Sequence, residues 1–149
     1  MWVEANGLTL HPGKNHVGDC RQKGEGFEFL GYRFEAGRRW VRKKSLKRIK
    51  DAIRSKTGRM WSGSLKEIIS EPNPMLRGWF GYFKHAQGST FSRTDVFIRR
   101  RLSVLLRKRE KRPGMGRCLG DRKRWNNAFF AWAGLFALYP ARLAARHPR

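Results

Sequence analysis

Before Ser45 the apolar positions of this chain come in short alternating runs; from Ser45 onward they recur at helical spacing. Residues 2–6 read as the last turn of a helix stopped by Gly7. Leu8-Thr9-Leu10 and Asn15 to Cys20 are short strand candidates on either side of the turn signal His11-Pro12-Gly13-Lys14. Phe27 to Phe34 reads as one strand. Its alternation changes phase between Phe27/Phe29 and Tyr32/Phe34, and a bulge is expected at Gly31, where the phase breaks. Ala36-Gly37 turns the chain and Trp40-Val41 begins the return strand, which makes a β-hairpin.

The helical half opens at Ser45, the expected cap of a helix with Leu46, Ile49 and Ile53 on a narrow apolar stripe. Lys47, Lys50 and Arg54 line the adjacent face, and the helix ends near Thr57-Gly58. Ser64-Leu65-Lys66-Glu67 is a capping box ahead of Ile68 and Ile69, the hydroxyl and the carboxylate each satisfying the other residue's backbone N–H. The stretch that organises the pattern is Pro72 to Ala86. Asn73 is the expected N-cap and Pro74 the first helical residue, with Met75, Leu76, Trp79, Phe80, Tyr82 and Phe83 on one side. Arg77, Lys84 and His85 fall on the other side, with Gly78 and Gly81 between them. Each interior glycine costs a helix about 1 kcal/mol relative to alanine. A close neighbour is therefore expected there, either another helix or, given the cations, a phosphate.

Ser92-Arg93-Thr94-Asp95 opens the next helix, whose stripe is Ile98, Leu102, Leu105 and Leu106. Arg100, Arg101, Arg107 and Lys108 sit opposite, and Pro113-Gly114 ends it. Residues 114–124 read as a basic linker. Trp125 to Leu138 reads as a last aromatic helix broken at Gly134, with the residues after Tyr139 expected to fray.

Composition adds a partner class. At 149 residues, 40% hydrophobic, the chain is long enough for one domain with a real core. Its 34 Lys and Arg against 11 Asp and Glu give a formal charge of +23, which attracts polyanions and points to nucleic acid before an anionic membrane. Two cysteines make no disulfide framework and no zinc spacing, which fits a reduced cytoplasm. The first residues lack the basic start and apolar core of a signal peptide. The apolar run from Ala128 to Tyr139 is shorter than the roughly 20 residues a bilayer requires. Arg122-Lys123-Arg124 and Arg142 to Arg149 read as solvated faces, and His11, His16, His85 and His147 are too scattered for a catalytic role. Asp19, Asp51, Asp95 and Asp121 are isolated. A two-metal site holds its ions about 4 Å apart with clustered carboxylates, so neither a metal site nor a catalytic residue is expected.

Four strings occur in order: Gly7-Leu8-Thr9-Leu10-His11-Pro12-Gly13-Lys14, then Phe27 to Phe34, then Asn73-Pro74-x-x-Arg77-Gly78-Trp79-x-x-Tyr82-Phe83, then Trp125-x-Asn127-x-Phe129-Phe130 with Gly134-Leu135. Together, over nearly the whole chain, they resemble the C-terminal part of bacterial group II intron reverse transcriptase/maturases. The resemblance implies a mainly α fold with a small N-terminal β part: a three-helix thumb/maturase bundle preceded by a β-hairpin remnant of the polymerase palm. Residues 1–43 would be the palm remnant, 44–112 the maturase-specific domain (thumb, or domain X), and 113–149 a basic linker with a C-terminal aromatic segment. Phe29, Leu30, Gly31 and Tyr32 match the family's primer-grip hairpin; without the resemblance they read as an ordinary bulged hairpin.

The RNA-binding surface expected on this basis comprises Arg42, Lys43, Lys44, Lys47, Lys50, Arg54, Arg77, Gly78, Gly81, Lys84, Arg100, Arg101, Arg107 and Lys108. The implied partner is group II intron RNA; an upstream reverse transcriptase fragment and a DNA target are further partners the resemblance allows, and no membrane is expected. The family's Tyr-x-Asp-Asp polymerase motif would lie upstream of Gly7, so binding rather than polymerisation is expected of this chain alone. Magnesium, and polymerase activity, would enter only if an upstream palm completed it. An inactive truncated remnant and a basic membrane-surface protein stay open as alternatives.

Overall fold

The computed structural model describes residues 2–9, 11–13, 19–58, 60–114 and 118–146. Their order is α1 (Trp2–Ala5), β1 (Phe27–Phe29), β2 (Tyr32–Glu35), β3 (Arg38–Val41), α2 (Lys43–Lys56), α3 (Leu65–Ser70), α4 (Asn73–Phe83), α5 (Gly88–Arg109), α6 (Leu119–Arg124), α7 (Asn127–Trp132) and α8 (Leu138–Arg146). The chain is mainly helical with one small antiparallel sheet near its N-terminus, as the two periods predict.

The phase break at Gly31 is a turn and not a bulge. Leu30 and Gly31 have φ of +48° and +84°, and Phe29 lies opposite Tyr32. Two residues at positive φ make the tight turn whose twist matches the flanking strands. Each arm keeps its own alternation, and Phe27 stacks on Phe34 with ring centroids 5.2 Å apart. Ala36-Gly37 repeats the device, so the expected hairpin is a three-stranded meander in the order β1-β2-β3. Leu8-Thr9 and Asp19-Cys20 are not strands; Leu10 and residues 14–18 lie outside the described residues.

Three helix starts differ from the sequence expectation, each for a tertiary reason. Arg42, not Ser45, precedes α2, because the Arg42 N–H pairs with the Gly31 carbonyl at 2.9 Å and the sheet hands the chain directly to the helix. Asn73 is the first residue of α4 and caps nothing locally. Its amide donates to the Gly134 carbonyl at 2.6 Å and its oxygen accepts from the Phe136 N–H at 2.8 Å, fastening α4 to the α7–α8 connection. α5 begins at Gly88, so Ser92 to Asp95 lie inside it. The Asp95 carboxylate accepts from the Leu138 and Tyr139 N–H groups, both at 2.9 Å, and so caps α8 from another helix. The Ser64/Glu67 box forms as read.

The C-terminal third is more ordered than its sequence suggests. The basic linker contains α6, and the aromatic segment is two helices, α7 and α8, with Gly134 at φ +93° between them. The chain after Tyr139 stays helical to Arg146. The axis of the molecule is α5 rather than α4: its Phe91, Ile98, Leu102 and Leu106 meet Ile49 and Ile53 of α2, Ile69 of α3, Leu76 and Phe83 of α4, Phe130 of α7 and Leu138 of α8 in one core. A fully buried side chain of this size contributes about 1.5–3 kcal/mol. No described helix is long and apolar enough to cross a membrane.

Candidate nucleic-acid interface

The hairpin tip, α2 and α4 enclose an open groove. Its walls are Arg42, Arg48 and Ile49 on one side and Met75, Trp79 and Tyr82 on the other, with Leu30 and Gly31 at one end. Two phenols fix the tip on α4: the Tyr32 hydroxyl donates to the Tyr82 carbonyl and the Tyr82 hydroxyl donates to the Leu30 carbonyl, each at 2.7 Å. Burial pushes the Tyr32 phenol above its ordinary range. Gly31 is required here, since a Cβ would stand 3.2 Å from the Phe83 ring at a φ that side chains avoid. The close approach at this glycine is thus to the chain's own Phe83. Phe29 and Leu30 are 59% and 66% exposed, and the Trp79 Nε1 is buried without a hydrogen-bond partner.

The expected RNA-binding residues fall into three groups. Lys43, Lys44 and Lys47 on α2 and Lys84 after α4 are exposed and form no hydrogen bond or ion pair with other described residues. Arg77 is exposed on α4 with its guanidinium over the Phe136 ring at 4.8 Å. Gly78 and Gly81 are exposed beside it, and a Cβ at either would meet open space. Among the described residues no element packs where those glycines leave the backbone bare. Arg48, absent from the sequence-derived set, joins this face from the groove wall.

A second group is partly committed. Lys50 and Arg54 straddle the Phe97 ring of α5, at 5.8 and 5.3 Å, and Arg54 also pairs with Asp51 at 2.6 Å. Arg42 donates from Nε to the Ser45 hydroxyl at 3.4 Å.

The third group serves the fold or faces elsewhere. Arg101 donates to the Thr57 hydroxyl at 3.2 Å and to its carbonyl at 3.0 Å, closing the end of α2 onto α5. The spacing carried that signal, because Arg101 lies three residues after Ile98 and four before Leu105, on the stripe side. Arg107 pairs with Asp121 and donates to the Pro113 carbonyl. The Cys118 thiol and the Arg107 guanidinium hold the Asp121 carboxyl below its ordinary range, and Asp121 in turn raises Arg107. Arg100 is exposed on the side of α5 that faces α6 and α7, and Lys108 is exposed near the end of the helix.

Among the described residues no three His, Cys, Asp or Glu side chains cluster as metal ligands. The magnesium of a complete palm finds no ligand set in them.

The family model described as "Group II intron, maturase-specific domain" matches residues 46–125, more than half of the chain, from α2 through α6 to Trp125. No curated protein matches. This domain is associated with maturase function in group II intron splicing. The chain, with its helical bundle on a small sheet, belongs to the group II intron maturase-specific domain family.

Proposed function

We propose that the chain binds folded group II intron RNA by laying phosphate backbone across α2 and the outer face of α4, and that it assists splicing by holding RNA segments in place. Structured RNA is recognised mainly through shape, phosphates and 2′-hydroxyls. Exposed lysines on α2, with Arg77 on α4 and Lys84 just after it, meet that need without a catalytic group.

The observation that carries the reading is the bare backbone at Gly78 and Gly81, open to solvent between Arg77 and Lys84. Two interior glycines cost α4 about 2 kcal/mol against alanine, and no described residue uses the space. A phosphate or ribose resting there would.

Filter binding of an intron transcript over a range of salt tests this. Affinity should fall steeply, and Lys47→Gln with Lys84→Gln should flatten the log–log slope by about 0.7 per lost phosphate contact. Gly81→Ala should stabilise the protein by about 1 kcal/mol while weakening RNA binding. A salt-independent affinity, or a Gly81→Ala variant that binds RNA as well as the parent, would refute the proposal.

A further inference from the structure

On the far side of α5 from α2 lies a cleft that the lysine face does not use. Val96, Arg99 and Arg100 share the side of α5 turned toward α6 and α7. With Arg122, Trp125 and Asn127 they bound a volume of about 640 Å³, within the roughly 300–1,000 Å³ of ligand sites.

The walls are set before anything enters. Arg107, farther along the same side of α5, pairs with the buried Asp121 and pins α6 to it. The Trp125 N–H donates to the Asp121 carbonyl at 2.8 Å, and the Asn126 side chain accepts from the Phe129 N–H at 2.9 Å to start α7.

The charge in the cleft has one sign. Three arginines line it and, among the described residues, no carboxylate does. None of the three guanidiniums is hydrogen-bonded or ion-paired to another described residue. Asp95, the acid whose field reaches Arg99, spends both carboxylate oxygens on the backbone of α8. Beside the cations stand an apolar wall, made of the exposed Val96 and the small uncovered part of Trp125, whose ring also lies 5.6 Å from the Arg124 guanidinium, and the exposed Asn127 amide, which also has no partner among the described residues.

Fixed positive charge, an apolar wall and an amide in one cleft match the three parts of a nucleotide: its phosphate, the face of its base and the base edge. A base stacked inside a duplex cannot enter, whereas one in a loop or bulge can. We infer that this cleft receives a single unpaired nucleotide of the bound RNA. Arg99, Arg100 and Arg122 hold its phosphate, Trp125 and Val96 carry its base, and Asn127 reads the base edge. The inference rests on the RNA-binding reading above and adds a contact that depends on an extruded base.

The test uses the full chain and two fluorescent RNA hairpins, identical except for one bulged 2-aminopurine. The bulged hairpin should bind about tenfold more tightly, the scale of one charge-assisted hydrogen bond, and its 2-aminopurine emission should change on binding. Arg122→Gln and the uncharged change Asn127→Ala should each remove that preference and leave the plain hairpin bound as before. Equal affinity for both hairpins overturns the cleft while sparing the lysine face; binding to neither overturns the RNA reading itself. Variants that weaken both hairpins alike reduce the cleft to general charge and overturn it. An oligoglutamate that abolishes the 2-aminopurine signal as effectively as single-stranded RNA of equal charge overturns it in favour of an acidic peptide.

Discussion

Asp95 shows how much one side chain decides. It is 5% exposed within α5, and its two oxygens hold the first N–H groups of α8. Burial pushes its carboxyl above the usual aspartate range, against the downward pull of those N–H bonds and of Arg99. The folded state therefore holds the proton more tightly than the unfolded state. Asp95's contribution to stability is greatest below the ordinary aspartate value and declines as pH rises through the elevated one. In urea titrations the parent should lose stability relative to Asp95→Asn as pH climbs through that window; a difference that is constant or of opposite sign would refute the assignment. Asp95→Ala leaves the buried Leu138 N–H and the part-buried Tyr139 N–H without their acceptor and should cost about 1–3 kcal/mol, more at low pH than above the elevated value, with α8 losing hydrogen-exchange protection first.

The elements most readable in the sequence are those whose signals are local. The Ser64/Glu67 box needs only its own four residues and forms as read. The stripes of α2 and α5 are buried at Ile49, Ile53, Ile98 and Leu102 because helical spacing alone puts them on one side. Reading fails where a cap-type residue serves a distant partner. Asn73 and Asp95 look like helix starts, but both hold the segment around Phe136 to Tyr139, which nothing nearby in sequence announces. The candidate site divides the same way: lysines on the outer side of α2 are legible, whereas the commitment of Arg107 to Asp121 depends on where α6 lands. The hairpin is a further case, since its seat on α4 hangs on the paired phenols of Tyr32 and Tyr82. Tyr82→Phe removes one donor to the Leu30 carbonyl and should cost about 1 kcal/mol. Amide exchange at the tip should rise while α5 stays protected; unchanged exchange at the tip would mean that the turn holds its place without the phenol.

At the scale of the whole molecule, charge opposes folding and would promote the proposed RNA binding. Even if every one of the 11 acidic side chains found a basic partner, 23 of the 34 Lys and Arg would remain without one. Pairs such as Lys56–Glu71 and Arg124–Glu110 tie elements together, but they cannot neutralise the surface, and the unpaired cations repel one another across it. Raising ionic strength from about 0.01 to 0.15 M shortens the screening length from about 30 to 8 Å. The urea midpoint of the free protein should therefore rise over that range. RNA affinity should fall over the same range, because each phosphate contact gives up its counterion advantage. Opposite salt signs for stability and for binding follow from a surface held in excess of what the fold can pair. A protein stabilised chiefly by its own ion pairs would lose both together, and that outcome in parallel titrations would exclude the account. A saturating intron transcript should replace salt as the screening agent, raising stability by about 2.7 kcal/mol at a hundred times its Kd, so the bound protein should keep at low salt the midpoint that the free protein reaches only at high salt.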